Sequence, residues 1–276
     1  MIKLCVVGKD VSASQSPQMH GFLLKRLGEE CVYDKISLSA AEFDERIEGI
    51  LACYDGVNVT IPYKGSVIPH LKTLKGDAQV FGAVNTVRTS MREGHNTDGF
   101  GFMLMLENAG VQVRGKKILV LGAGGAGRSC VKKLLDAGAE VFVYERDGER
   151  LQTVHREFGG FTPLAQVPIR EYDIVINCTG VGMHDTVGKT PSVRYGDGEH
   201  PVGEELLKKT ETAVDLIYEP AQSEFLRIAD KLGKKTVNGG PMLFYQAYAA
   251  DCIYLNKPLN AEEAKRFWNE YKELYL

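Results

Sequence analysis

Residues 116–138 read KKILVLGAGGAGRSCVKKLLDAG: an apolar strand, a glycine-rich turn and a helix closed by Gly138. Gly122, Gly124 and Gly127 keep the spacing G-x-G-x-x-G between strand and helix, the setting that this motif needs. The first glycine allows the tight turn, and the second lets the backbone approach a pyrophosphate. The third permits close helix–strand packing, and the helix N-terminus attracts the phosphate charge. The whole turn (Gly122, Ala123, Gly124, Gly125, Ala126 and Gly127) is therefore read as a dinucleotide cradle. Glycine-rich strand–helix turns also occur without a cofactor, but the placement in a βαβ unit favours binding.

The next strand, EVFVYE (140–145), runs into Glu145, Arg146, Asp147, Gly148, Glu149 and Arg150. An acid here, roughly 20 residues beyond the glycines, accepts hydrogen bonds from the adenosine ribose and favours NAD. Arginines just past it clamp the 2′-phosphate of NADP. Glu145 supplies the first feature, and Arg146 with Arg150 the second. A solvated helix start with local ion pairs is the plainer alternative, for Glu149 above all. Cofactor choice stays open on these residues.

Outward from this unit, strands and helices keep alternating. A helix near 147–158 is followed by the strands YDIVINC (172–178) and TAVDLIY (212–218), the helix SEFLRIADKLG and the strand KKTVNG. Such alternation argues for an α/β fold whose parallel sheet is covered on both faces. Residues 182–204 form the longest stretch without periodicity, the kind that is usually functional or mobile in a compact domain. The first third reads as KLCVVG (3–8), a helix from Ser16-Pro17 to about Leu27, and CVYDKISLS (31–39). A helix with Phe43, Ile47, Ile50 and Leu51 on one face comes next, then GVNVTIP, a short helix near 67–74 and the strand AVNTVRTS. REGHNTDG reads as a turn before a helix ending at Gly110. Two helices close the chain after Pro241, the second starting at Asn260. The expected organisation is a domain over 1–100, a Rossmann-type domain over 101–239, and helices over 240–276 that return to the first domain.

Composition narrows the function classes. The net charge is −3 with no long run of one sign, which points away from nucleic acid and anionic membrane surfaces. Six scattered cysteines lack metal spacing, and the six histidines likewise, so no metal site is expected. No apolar run nears the ~20 residues of a membrane span, and MIKLCVVGKD lacks a signal-peptide core. A cytoplasmic location is expected.

GVNVTIPYKG (56–65) alternates, with Val57, Val59 and Ile61 facing one way and Asn58 and Thr60 sharing the other face. Lys64 follows the proline. A solvated lysine beyond a half-polar strand is the plain reading; a substrate wall with an acid/base lysine is the sharper one. Asp98 in NTDG reads equally as a turn or helix-cap aspartate, and Ser16 as the cap of the helix opening at Pro17.

Taken together, GVNVTIPYKG, GAVNT (82–86), NTDG (96–99), GAGGAGR, S-x-S-P at Ser14–Pro17, Y-x-P at Tyr218–Pro220 and G-x-x-M-L-x-x-Q at Gly239–Gln246 make the chain resemble the shikimate dehydrogenase family. The resemblance runs nearly end to end. It implies an N-terminal substrate domain, a Rossmann-type cofactor domain and a C-terminal helical return. The implied reaction is NADP-linked interconversion of 3-dehydroshikimate and shikimate, on the route through chorismate to the aromatic amino acids. Carried over by residue, Ser14, Ser16 and Tyr218 would hold the substrate carboxylate, and Asn58, Thr60, Asn85 and Gln246 its hydroxyls. Lys64 and Asp98 would be the catalytic pair. Met242, with the backbone at Leu216 and Gly239, would flank the nicotinamide. The implied partner is a small molecule, with no nucleic acid or membrane, on a monomer or homodimer.

The chain departs from the family where Asn-Arg-Thr is common and Glu145-Arg146-Asp147 stands instead, and where glycine (Gly21) follows His20 in place of asparagine. The two acids make NAD a competitor of NADP. Two other readings are thus carried forward: an NAD-preferring quinate/shikimate dehydrogenase, and a metabolite or cofactor sensor that has lost turnover. Oxidising a secondary alcohol needs a proton acceptor beside the hydroxyl. A lysine can supply it, with a carboxylate holding the lysine in place.

Overall fold

Short apolar strands alternating with amphipathic helices build each part of the chain. The computed structural model describes all 276 residues. They divide into two units, Met1–Phe102 with Leu243–Leu276, and Met103–Met242.

The first unit opens with β1 (Ile2–Gly8), α1 (Ser16–Arg26), β2 (Cys31–Ser37), α2 (Ala40–Cys53) and β3 (Gly56–Val59). It continues through β4 (Thr73–Leu74), α3 (Asp77–Phe81), β5 (Thr86–Arg88) and β6 (Glu93–His95) to the start of α4 (Asp98–Asn108), which from Met103 onward belongs to the second unit. The sheet order is β2-β1-β3-β5-β6-β4, with β1 parallel to β2 and β3, and β5 antiparallel to both its neighbours. Helix α2 starts at a capping box in which Ser39 and Glu42 satisfy each other's backbone N–H. Its Phe43, Ile47, Ile50 and Leu51 then pack into one core with Val57, Val59 and Val87. Each such side chain contributes about 1.5–3 kcal/mol when fully buried.

Ile61 does not share the inner face with Val57 and Val59; it is 75% exposed. Strand pairing stops at Val59, and the chain turns as Tyr63 N–H bonds the Thr60 carbonyl. The stretch 67–74 is not a helix of useful length. A single 3-10 turn at Ile68–His70 leads into β4, which pairs with β6. The expected turn at REGHNTDG holds β6 itself. Gly94 lies in that strand because a Cβ there would stand 2.6 Å from Leu71 and 2.7 Å from Val84.

The second unit carries β7 (Lys117–Leu121), α5 (Gly125–Asp136), β8 (Glu140–Tyr144), α6 (Gly148–Phe158), β9 (Thr162–Leu164) and β10 (Tyr172–Asn177). A hairpin of β11 (Ser192–Tyr195) and β12 (Gly198–Pro201) follows, then α7 (Glu204–Leu207), β13 (Thr210–Asp215), α8 (Glu224–Lys231) and β14 (Lys235–Val237). The order β14-β13-β10-β7-β8-β9 is parallel throughout. That is the doubly wound arrangement, whose strand order reverses between β7 and β10, the place where such sheets bind ligands. The aperiodic segment 182–204 contains the hairpin. Val193 and Val202, each 1% exposed, join the unit's core, and Arg194 N–H donates to the Tyr144 hydroxyl at 3.1 Å. Strands this short show no readable period.

The chain then enters α9 (Gly240–Tyr254) and α10 (Ala261–Tyr275), the latter capped by Asn260, which accepts the Glu263 N–H at 3.1 Å. From Leu243 onward these helices belong to the first unit. Phe22 of α1 meets Phe244 and Tyr271 with ring centroids 6.2 and 5.3 Å apart, and Trp268 sits 5.4 Å from Phe244. No helix is long and apolar enough to cross a membrane.

Candidate active site

Lys64 lies in the turn after β3, and its neighbour Tyr63 anchors that turn. The Tyr63 hydroxyl donates to the Leu38 carbonyl at 2.6 Å, and its ring stacks on Phe43 at 4.2 Å. The Lys64 carbonyl accepts the Val84 N–H at 2.8 Å. With the backbone fixed on both sides, Lys64 Nζ reaches Asp98 Oδ2 at 2.6 Å. Asp98 is 4% exposed and Lys64 19%, so the pair sits at the edge of solvent access. Asp98 is the first residue of α4, yet its carboxylate does not cap the helix. Asn96 Oδ1 takes the Asp98 N–H at 3.0 Å, and Asp98 Oδ1 accepts from Asn85 Nδ2 at 2.9 Å. The carboxylate is thereby kept for the ammonium, whose remaining protons are open to a ligand oxygen.

A polar row extends from this pair. Asn85 Oδ1 accepts the Thr97 N–H at 3.0 Å and the Thr86 hydroxyl at 2.9 Å, which fixes the amide facing Asp98. Gln246 Oε1 lies 3.4 Å from Asn85 Nδ2 and brings α9 into the same network. Asn58 Nδ2 donates to the Asn85 carbonyl at 3.3 Å, and Asn58 Oδ1 accepts the Tyr33 hydroxyl at 2.7 Å. Thr60 stands two residues along, with its Cγ2 against Gly8, where a Cβ would come within 2.5 Å. Ser16 does not cap α1: the capping position is Gln15, without a side-chain bond. Instead Ser14 Oγ accepts the Ser16 N–H at 3.2 Å and donates to Ser16 Oγ at 3.0 Å. Two hydroxyls thus converge at the N-terminus of an 11-residue helix, a favourable place for a carboxylate.

In the second unit the glycine turn is a real cradle. Gly122 has φ +93°, and a Cβ on Gly127 would stand 2.2 Å from the Gly122 carbonyl oxygen, whereas Gly124 and Gly125 face open space. A cavity of about 250 Å³ adjoins it, lined by Gly122, Gly124, Glu145, Arg146 and Arg150. Tyr144, Cys178, Thr179, Val181, Pro191 and Ser192 are among its other walls. Open glycine backbone at a helix N-terminus, with two guanidinium groups beside it, fits a dinucleotide that carries an extra phosphate. Glu145 folds back onto the turn: its carboxylate accepts the Ala123 N–H at 2.9 Å and the Asp147 N–H at 3.1 Å. Asp147 is not a wall of this cavity; it caps α6 by accepting the N–H groups of Glu149 and Arg150. Of the two acids, only Glu145 lines the cavity. Leu216, Gly239 and Met242 lie elsewhere in the unit, and the Gly239 position has room for no side chain, since a Cβ would sit 2.0 Å from the Leu216 carbonyl oxygen. Burial raises the Tyr218 phenol, with Glu219 adding to the shift.

Comparison with known proteins decides what these parts belong to. The profile described as shikimate dehydrogenase substrate binding domain matches residues 6–87, and that described as shikimate / quinate 5-dehydrogenase matches residues 104–187. A relative from Thermus thermophilus, named shikimate dehydrogenase (NADP(+)), is 37% identical over 274 residues, 96% of this chain and 98% of its own. The chain belongs to the shikimate dehydrogenase family. Solved structures of the family share the fold. Shikimate dehydrogenase 1 from Peptoclostridium difficile superposes with TM-score 0.84 at 30% identity, covering 100% of both chains. A shikimate 5-dehydrogenase from Thermus thermophilus, solved with NADP(H) and shikimate, gives 0.82 at 33% identity, covering 98% of this chain and 99% of its own.

Within this family frame, the network behind the cofactor cavity was not legible in the sequence. Asn177 and Asp215 end two adjacent parallel strands, and Asn177 Nδ2 donates to Asp215 Oδ1 at 3.0 Å. Asn177 Oδ1 takes the Thr179 N–H and hydroxyl at 2.9 and 2.7 Å, shaping the loop that walls the cavity. The only signal was a polar residue at the C-terminal end of two apolar strands. Burial pushes the Asp215 carboxyl up to about 6, against the pull of Ser223, Ile217 N–H and Asn177. A carboxyl raised in the folded state contributes stability that is fully present below the unfolded value and lost as pH rises through the folded one. Between pH 5 and pH 7 this group should therefore lower stability by roughly 1 kcal/mol. Denaturant unfolding of Asp215→Asn against the wild type should show that pH-dependent component disappear; an unchanged difference at both pH values would refute it.

Proposed function

We propose that the chain reduces 3-dehydroshikimate to shikimate reversibly with NADP(H). The observation that carries this reading is the 2.6 Å Lys64–Asp98 pair, continuous through hydrogen bonds with Asn85, Gln246 and Asn58. In the direction of reduction, the Lys64 ammonium donates a proton to the developing alkoxide; in oxidation the lysine takes it back. Asp98 holds the lysine in place and balances its charge. Ser14 and Ser16 bind the substrate carboxylate with Tyr218, and Asn58, Thr60, Asn85 and Gln246 bind its hydroxyls. When bound, NADP(H) supplies or accepts the hydride. The turn from Gly122 to Gly127 holds its pyrophosphate, Arg146 and Arg150 its 2′-phosphate, and Met242 with the Leu216 and Gly239 backbone its nicotinamide.

Glu145 makes NAD(H) a usable second cofactor, because a carboxylate in this position suits a free ribose hydroxyl. The NADP(+) shikimate names of the relatives favour this function over the quinate and sensing alternatives. No disulfide joins the six cysteines, which suits a reducing cytoplasm. The partner is the small substrate alone, on a monomer or homodimer without nucleic acid or membrane.

Purified chain given shikimate and NADP should form NADPH steadily, with a kcat/KM at least tenfold above that for quinate. No NADPH, or equal use of quinate, would overturn the proposal.

A further inference from the structure

Tyr33, in β2, stands where two parts of the polar row meet. Its hydroxyl donates to Asn58 Oδ1 at 2.7 Å, and the Ser16 hydroxyl lies beside the same phenol. One run of hydrogen bonds starts at the Tyr33 hydroxyl and passes to Asn58. It goes on through the Asn85 carbonyl, and the Asn85 amide in turn bonds Asp98. The ring is held from behind. His20 stacks on it at 4.8 Å with planes 21° apart, and His20 Nδ1 lies 2.6 Å from Asp251 Oδ1, both residues buried.

We propose that Tyr33 is a positioning residue that fixes the Asn58 amide for the substrate. A neutral phenol gives its single proton to the amide oxygen, so that oxygen is committed. One amide N–H goes to the Asn85 carbonyl, and the other is left for a ligand. Asn58 is thus set as a donor to a substrate hydroxyl oxygen. Without the phenol, only the long 3.3 Å bond to Asn85 resists rotation of the amide, and the oxygen can face the ligand instead. Asp251 and His20 act one step further back, by holding the ring against which the phenol is aligned.

The inference rests on the functional reading above, so wild-type turnover of shikimate is measured first. Its absence overturns that reading together with this one. With the wild type active, Tyr33→Phe should raise the KM for shikimate about tenfold while kcat falls less than about threefold, the effect of one lost hydrogen bond. The KM for NADP should stay unchanged. A shikimate KM within twofold of the wild type would overturn the assignment while leaving the function intact. The second arm compares Asn58→Ala with the double variant Tyr33→Phe/Asn58→Ala, which leaves no orphaned partner in the bond and so keeps the test open if the single tyrosine variant folds poorly. The two should share one KM within about twofold. A double variant more than about fivefold worse would show that Tyr33 acts without Asn58, and would overturn the proposal.

Discussion

Replacing Lys64 by alanine is expected to lower kcat for shikimate oxidation by about 10³-fold, within the range that a positioned acid/base group contributes. The loss should fall on kcat, because the donors assigned to the carboxylate and hydroxyls remain. Two controls make the result specific. Lys64→Arg keeps a cation beside Asp98, but a guanidinium does not release its proton, so turnover should stay low although the chain folds normally. Asp98→Asn keeps an acceptor at the same place while removing the charge that holds the ammonium. It should reduce kcat less than Lys64→Ala does. Steady-state rates at saturating NADP supply the check. An alanine variant with more than a tenth of wild-type kcat would remove Lys64 from the chemistry.

Glu145→Gln should shift cofactor preference by roughly 100-fold toward NADP, as the sum of two roughly tenfold effects. Neutralising the carboxylate removes a negative charge from the cavity walled by Arg146 and Arg150, so a 2′-phosphate is held more firmly. The same change takes a charged acceptor from a free ribose hydroxyl, which weakens NAD(H). Glutamine keeps the side-chain length and an oxygen for the Ala123 N–H, so the glycine turn should hold its shape. Fluorescence titration with NADPH and NADH reads both dissociation constants without turnover. If the ratio moves less than about threefold, Glu145 is a brace for the glycine turn and takes no part in choosing the cofactor. Asp147→Asn, by contrast, should move the ratio less, since one oxygen of that carboxylate caps α6 and the other meets the cavity only through Arg150, at 3.5 Å.

How much of this was legible in the residues differs from place to place. The glycine turn could be read because its geometry is local: a strand, a turn and a helix within 23 residues define it. Lys64 and Asp98 are 34 positions apart, and each alone looks like a surface residue; only their joint occurrence with the other motifs pointed to a pair. Asp147 read as a second charge facing phosphate because spacing along a strand end does not show which carboxylate turns toward a helix N-terminus. Tyr33 was missed for a related reason. In CVYDKIS it is one more residue in an alternating edge strand, and its partners come from residues 16, 20 and 58. Asp251 sat unnoticed in the apolar run PMLFYQAYAADCIYL, where one acid suggests an exposed face rather than a fully buried partner for histidine. The hairpin at 192–201 escaped because two four-residue strands carry too little alternation to register.

Whether Lys64 moves the proton of the substrate alcohol is tested by a crystal structure of the chain with shikimate bound. Lys64 Nζ is expected within about 3 Å of one ring hydroxyl, with Asp98 still paired to it and the substrate carboxylate at Ser14 and Ser16. A shikimate bound with its carboxylate at Lys64, or with every hydroxyl beyond hydrogen-bond reach of Nζ, would contradict it.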